Sequence, residues 1–228
     1  MHSKLIFIDK RAPDAAKQNL SAFGQVVEFI TQGVVYDAIS GHPDIFMFQE
    51  PDGLVVAPQI PQIYLDILVA NNVKYCVGSK PHGPRYPDTA CYNALYTPWG
   101  VVHNGKVSSS EVLFAHKNLI HCAQAYIRCN AIEVNGMVFT SDRGLEKVLV
   151  KREIPTLYVN PEEILLKGYK NGFFGGCCGL LNHSLFVCGS IDLLAEASQL
   201  KAFLKERETS IVEIYDGPLT DIGGIFFI

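Results

Sequence analysis

One unit recurs about five times along this 228-residue chain, and its last copy stops short. Each copy carries an apolar helix-like stretch, a short strand, a turn, a second strand, a tight turn and a third strand. The last two strands are the plainest. His42-Pro43-Asp44-Ile45-Phe46-Met47-Phe48 leads to Gly53-Leu54-Val55-Val56-Ala57, and Cys91-Tyr92-Asn93-Ala94-Leu95-Tyr96 leads to Trp99-Gly100-Val101-Val102. Cys129 to Val134 leads to Gly136 to Thr140, and Cys178 to Leu181 leads to Ser184 to Val187. Gly223-Gly224-Ile225-Phe226-Phe227-Ile228 has no strand after it. A fixed period of this size means a repeat architecture.

The absent strand is expected at the other end. Leu5 to Ile8 is a strand followed by Asp9 and a helix-like run from Ala12 to Phe23, the order also seen after Leu54-Val55-Val56 and after Leu185-Phe186-Val187. An open array would leave sheet edges free for wrong pairing. A ring latched by a strand exchanged between the termini removes them. The expected fold is therefore α/β: a five-bladed β/α propeller with outer helices, residues 1–228 forming one domain, in which Leu5 to Ile8 pairs with Ile225 to Ile228.

Composition sets the outer bounds. Apolar residues make up 48% and charged residues only 18%, enough for a full core. A net charge of -4 with no basic stripe argues against general nucleic-acid binding. No apolar run is long enough to span a membrane, and Met1-His2-Ser3-Lys4 before a short strand lacks a signal-peptide core. The seven cysteines show no C-x-x-C spacing, so a reduced, cytoplasmic protein without a cofactor is expected.

Helices are expected over Ala12 to Phe23, Pro61 to Ala70, Ser108 to Leu119 and Ile191 to Lys205, with a weaker one over Arg143 to Val150 capped by Asp142. The strand after each helix, such as Val73 to Val77 or Ala125 to Cys129, is expected to start the next blade. The Pro- and Gly-rich stretch from Gly78 to Thr89 and the insert from Asn160 to Gly176 read as long loops, where binding residues tend to sit.

In a ring, equivalent positions converge. The starts of the middle strands carry His42 to Asp44, Cys91 to Asn93, Arg128 to Asn130, Cys177 to Gly179 and Asp221 to Gly223. A thiol beside an imidazole can ionise at neutral pH, and carboxylates grip a guanidinium with two prongs. Nucleophile, proton donor and clamp are what attack on a guanidine carbon needs. Each residue also has a plainer role. Free cysteines favour cores, so Cys76, Cys122 and Cys188 are read as core, and Cys91, Cys129 and Cys178 fit that role too. Asn93 and Asn130 suit backbone binding, Gly175-Gly176 and Gly223-Gly224 suit crowding, and one of Cys177 and Cys178 is expected to face the axis. His82, His103, His116, His121 and His183 read as surface or turn residues. No local chelating pair supports a metal site at His42, Cys91, Cys129 and Cys178.

This architecture resembles the pentein superfamily: arginine and agmatine deiminases, dimethylarginine hydrolases and amidinotransferases, together with a non-catalytic ribosome anti-association factor. His42-Pro43-Asp44 is similar to a His-x-Asp motif that carries the family's catalytic His, and Asp221-Ile222-Gly223-Gly224 to an acid-x-Gly-Gly motif that binds guanidine. Asn93-Ala94-Leu95-Tyr96-Thr97 looks like a first-blade Asn-x-x-x-Thr strand, with Trp99 where an Arg-Asp pair is expected. The family nucleophile lies in the last blade, where this chain has no Cys. If His42 is the family His, the ring is permuted and the nucleophile falls at Cys129; the Asn93 match implies another rotation. The resemblance thus implies catalytic Cys129, His42, Asp44 and Asp221, with substrate contacts from Cys91, Asn93, Arg128, Asn130 and Cys178 around a small molecule in an axial cleft. Two functions stay open: a Cys-dependent hydrolase or transferase on a guanidine-like molecule, and a non-catalytic module binding a small ligand or protein partner.

Overall fold

The computed structural model describes residues 4–114 and 116–228. Met1 to Ser3, part of the leader reading, and Ala115, inside the helix expected over Ser108 to Leu119, lie outside them. The chain opens with β1 (Leu5–Asp9), α1 (Asp14–Leu20) and β2 (Gln25–Phe29). A single helical turn, α2 (Pro43–Phe46), runs into β3 (Met47–Glu50), then β4 (Gly53–Val56), α3 (Gln62–Ala70) and β5 (Tyr75–Val77). Next come β6 (Leu95–Thr97), β7 (Gly100–His103), α4 (Ser110–Phe114) and β8 (Leu119–His121). They are followed by α5 (Ile127–Asn130), β9 (Ala131–Val134), β10 (Met137–Thr140), α6 (Arg143–Val150) and β11 (Thr156–Tyr158). The last group is β12 (Cys178–Leu181), β13 (Ser184–Val187), α7 (Ala197–Glu206) and β14 (Ser210–Glu213), before the short β15 (Phe226–Phe227).

These strands form five three-stranded sheets: β15-β1-β2, β3-β4-β5, β6-β7-β8, β9-β10-β11 and β12-β13-β14. In four of them a tight hairpin joins the first strand to the second, antiparallel, and a helix carries the chain over to a third strand parallel to the second. Parallel neighbours need such a crossover. The β9–β10 hairpin turns on Asn135 (φ 46°) and Gly136 (φ 93°), the two left-handed residues that a tight hairpin turn favours. The fifth sheet has no hairpin. The chain's last strand pairs antiparallel with its first, Ile6 opposite Phe227 and Phe7 opposite Phe226, and Leu5 and Ile228 exchange both backbone hydrogen bonds at 2.9 Å.

Second strands are buried along nearly their whole length: β1 throughout, and all but the first residue of β4, β10 and β13. They read as continuous apolar runs because both faces are covered, by helices on one side and neighbouring strands on the other. Consecutive first strands are neighbours, β3 beside β6, β6 beside β9, β9 beside β12 and β12 beside β15, and Gln49 Nε2 on β3 donates to the Phe227 carbonyl on β15 at 2.7 Å. Residues from all five first strands line one cavity of about 230 Å³.

The structure redraws several sequence expectations. The strand after each helix closes the sheet before it rather than opening the next, because its partner is the parallel strand on the other side of the helix. Ala125 to Cys129 is not a strand; β8 takes that place earlier, at Leu119–His121, and Ile127–Asn130 is the helical turn α5. His42 to Phe46 likewise winds into α2 before β3 starts. The long helix expected from Ile191 splits into a 3-10 turn, Ile191–Leu193, and α7. Cys76 is exposed, whereas His82 and His103 are buried. Helix α6 is as expected, with Asp142 Oδ1 accepting from the Leu145 N–H at 2.6 Å.

Candidate functional site

Three buried polar side chains meet at the C-terminal end of β1. Asp9 is the last residue of that strand, His42 precedes α2, and Asp221 lies just before β15. The His42 ring stands between the two acids: Nε2 is 3.8 Å from Asp9 Oδ2, and Nδ1 is 3.8 Å from Asp221 Oδ1. Both separations are too long for hydrogen bonds, and Nδ1 has no partner. Asp221 is held by the backbone, accepting from the Phe173 N–H at 2.9 Å and the Gly223 N–H at 3.1 Å. Asp9 is gripped by Arg11.

Glycines make this packing possible. A Cβ on Gly176 would stand 1.9 Å from Asp221 Oδ1, and one on Gly223 would stand 2.2 Å from the Cβ of His42. Gly223 also has φ +70°, a conformation that glycine adopts without strain. One glycine of each Gly-Gly pair, Gly176 and Gly223, thus walls the acid and the imidazole, while Gly175 and Gly224 lie against the Arg128 segment.

Burial dominates the electrostatics. It pushes the Asp221 carboxyl up to about 6, with His42 pulling down and Asp44 pushing further up. It lowers the His42 imidazole, with Asp221 and Asp9 opposing. The charged form of each is disfavoured in the absence of a partner. His42, Asp9 and Asp221 line a cavity of about 470 Å³, whose rim carries Arg11 and Lys167.

A second cluster lies alongside. Asn93 Nδ2 donates to the Asp44 carbonyl at 2.8 Å and to Cys129 Sγ at 3.1 Å, while its Oδ1 accepts from the Arg128 N–H at 2.7 Å. One buried amide thereby ties α2, the segment before β6, and α5 together. The Asp44 carboxylate oxygens have no hydrogen-bond partner of good geometry, although the Cys129 thiol and the Asn93 amide are beside them. Burial pushes Asp44 up to about 6, against the pull of the Arg128 guanidinium. Burial, with Asp44 and Asp221 nearby, pushes the Cys129 thiol well above its ordinary value. Tyr36 and Tyr126 pack against the apolar cluster that contains Cys129, joined hydroxyl to hydroxyl at 3.0 Å, and Tyr126 is joined in turn to Thr89 at 2.5 Å. Cys129 and Asp44 are not among the residues lining the 470 Å³ cavity.

The structure therefore brings His42 and Asp221 together, and Asp44, Asn93 and Cys129 together. Arg128 sits between Gly175 and Cys178, donating to their carbonyls at 2.6 and 2.8 Å, with its guanidinium carbon 5.4 Å from the Phe226 ring centre. Three others stand apart. The Cys91 thiol donates to the Asp88 carbonyl at 3.2 Å. Asn130 binds the Tyr126 carbonyl at 2.7 Å. Cys178 packs in an apolar cluster with Leu185, Val187 and Cys177, and the Cys177 thiol donates to the Phe173 carbonyl at 3.4 Å. Among the described residues no group of three or more His, Cys, Asp or Glu could hold a metal ion, and no helix is long and apolar enough to cross a membrane.

A model of a family of unknown function, DUF6873, matches residues 7–226. The chain belongs to the DUF6873 family. No curated protein matches it. Among solved structures, DDAH from Pseudomonas aeruginosa, a cysteine-to-serine mutant complexed with citrulline, superposes over 100% of both chains with a TM-score of 0.54 at 7% identity. Agmatine deiminase from C. jejuni, with substrate bound, covers 89% of this chain and 57% of its own at 8% identity, but the TM-score of 0.34 is too low to establish a shared fold. The DDAH likeness is one of fold, consistent with the pentein-like architecture expected from the repeat.

For this DUF6873 chain, sequence reasoning missed Asp9 and Arg11. Asp9 had a legible signal: it is the one charged residue closing a strand that is otherwise wholly apolar, Leu5-Ile6-Phe7-Ile8. Such a position has to be reached by a partner or a ligand if the strand end is buried. Arg11, two residues on, is its partner.

Proposed function

We propose that this chain closes its five sheets into a ring and binds a small guanidinium- or amidinium-bearing molecule in the 470 Å³ cavity between Asp9, His42 and Asp221, at the C-terminal end of β1. The ring is supported by the shared β15–β1 sheet and by the single cavity that all five first strands line. The binding reading is carried by Asp221. Its buried carboxylate faces the cavity with two backbone N–H donors and a neutral imidazole but no bonded side-chain cation. A planar cation with N–H donors supplies both the charge and the bonds that this carboxylate lacks. Lys167 on the lining is placed to meet an anionic group at the ligand's outer end. The seven unpaired thiols fit a reducing compartment such as the cytoplasm.

The test is calorimetric titration with butylguanidine against its neutral isostere, butylurea. Butylguanidine should bind the wild-type chain and not Asp221→Asn, and butylurea should bind neither. Equal binding of both compounds would remove the reading.

A second reading is a Cys-dependent hydrolase, with Cys129 as nucleophile, His42 as acid/base, Asp44 and Asp221 as substrate carboxylates, and Arg128 and Asn93 in support. It draws on the Asn93 amide bonded to Cys129 Sγ and on the whole-length fold likeness to a DDAH that holds citrulline. The enclosed thiol beside Asp44 weighs against it, since a neighbouring carboxylate disfavours a thiolate. Labelling with a haloacetamidine decides. A hydrolase loses the label in Cys129→Ser; a binding module leaves Cys129 unlabelled in the folded wild-type chain.

A further inference from the structure

Arg11 is bound in the way a guanidinium ligand would be. Its Nε donates to Asp9 Oδ1 at 2.9 Å and its Nη2 to Asp9 Oδ2 at 2.6 Å, a two-pronged grip on one carboxylate. Nη2 also donates to the Ala38 carbonyl at 3.0 Å, and Nη1 donates to the Asp37 carbonyl. The fork is met by one carboxylate and two backbone oxygens, the planar acceptor pattern that suits guanidinium and not ammonium. The acceptors are fixed. Asp9 is buried with its side chain only 4% exposed, and Gly41 lies so close that a Cβ there would stand 2.4 Å from Asp9 Oδ1. The cation is the accessible partner: the Arg11 side chain is 42% exposed and lies on the lining of the 470 Å³ cavity.

We propose that the Asp9 carboxylate and the Asp37 and Ala38 carbonyls form a guanidinium receptor that Arg11 of the same chain occupies, and that a ligand guanidinium enters the cavity by taking Arg11's place. This deepens the reading above and rests on it for the identity of the ligand group. Arg11 is then an internal competitor. It keeps Asp9 neutralised while the cavity is empty, and it swings into solvent when a ligand arrives whose guanidinium takes the Asp9 fork and whose remainder reaches past His42 to Asp221, an acid to which Arg11 makes no hydrogen bond or ion pair. The fork that Arg11 gives up is replaced on Asp9 by the ligand's own, and its freed guanidinium is hydrated. The arrangement predicts weak binding for any compound that offers only a guanidinium, and tighter binding for one whose remainder also fills the cavity.

The test empties the receptor. Arg11→Ala removes the part of the side chain that ethylguanidine replaces, so ethylguanidine titrated into the full-length variant should bind at least tenfold tighter than to the wild type. N-ethylurea should bind neither. Arg11→Ala combined with Asp9→Asn should lose the gain. Arg11→Lys, which keeps the charge and cannot form the fork, should also gain affinity over the wild type, and it serves if the alanine variant does not fold. Equal affinity of ethylguanidine for the wild type and a folded Arg11 variant would overturn the proposal, as would no binding to that variant. Binding to the variants with none to the wild type for any guanidine would uphold the receptor while refuting the proposed function.

Discussion

A chain lacking residues 225–228 is expected not to fold cooperatively. The deletion removes β15, which pairs with β1 through Ile6–Phe227 and Phe7–Phe226. It takes away the two backbone hydrogen bonds between Leu5 and Ile228 and the acceptor of the Gln49 amide. Three buried apolar side chains, Ile225, Phe226 and Phe227, go with it. Phe227 stacks on Phe186 at 4.7 Å between ring centres, so a neighbouring sheet loses a partner too. At roughly 1.5–3 kcal/mol for each buried apolar side chain, the loss is about 5–9 kcal/mol before any hydrogen bond is counted. A domain of this kind has about 5–15 kcal/mol in total. Urea denaturation followed by circular dichroism should show one transition for the full chain and no cooperative transition for the shortened one. A shortened chain that kept the full-length midpoint would mean that the terminal strands do not hold the sheets together.

Asp44→Asn is expected to stabilise the protein at pH 7 and to do so less and less as the pH falls. The Asp44 carboxylate is buried, its oxygens have no hydrogen-bond partner, and burial raises it from 3.8 to about 6. A carboxyl raised on folding contributes its stability in the protonated form. That contribution is fully present below the unfolded value near 3.8 and is lost as pH rises to the folded value near 6. A shift of about two units corresponds to roughly 3 kcal/mol. Asn stays neutral at every pH, so the stability difference between variant and wild type should grow by about 3 kcal/mol between pH 4 and pH 7. Asp221, also raised to about 6, gives a slope of the same sign, and His42, lowered by burial, gives the opposite slope below pH 6.5. Both groups are present in variant and wild type and largely cancel in the difference. A difference that does not change with pH would mean that burial leaves the proton affinity of Asp44 at its unfolded value.

How much of this was legible in the sequence depends on the range of the interaction. Helix α6 was legible to its ends because Asp142 caps it three residues away, a purely local signal. The terminal latch was legible because the repeat left one strand over at each end of the chain. The partner of each third strand was not, since the parallel pairing across a helix is invisible to local periodicity. The turns α2 and α5 read as strand because Ile45, Phe46, Ile127 and Cys129 are apolar residues that core-facing strands also use. At the site, His42 and Asp221 were found by their place in the repeat. Asp9 and Arg11 were not, because they lie at the end of β1, where the cavity opens, and not at the start of a middle strand, where the repeat aligns the other polar residues. Asn93 matches the backbone-binding role its residue type suggests: three of its bonds go to backbone atoms, which explains an amide there without a substrate.

The most direct measurement is the imidazole spectrum of His42 during titration with butylguanidine. The chain has seven histidines, and the His42 ring lines the cavity between the two acids. A cation seated on Asp221 should shift the His42 ring signals progressively and saturably, leave those of His183, which is in the β12–β13 turn and not on the cavity lining, in place, and have no effect in Asp221→Asn. Saturable binding that leaves His42 unmoved, or that shifts it equally in Asp221→Asn, would contradict the account.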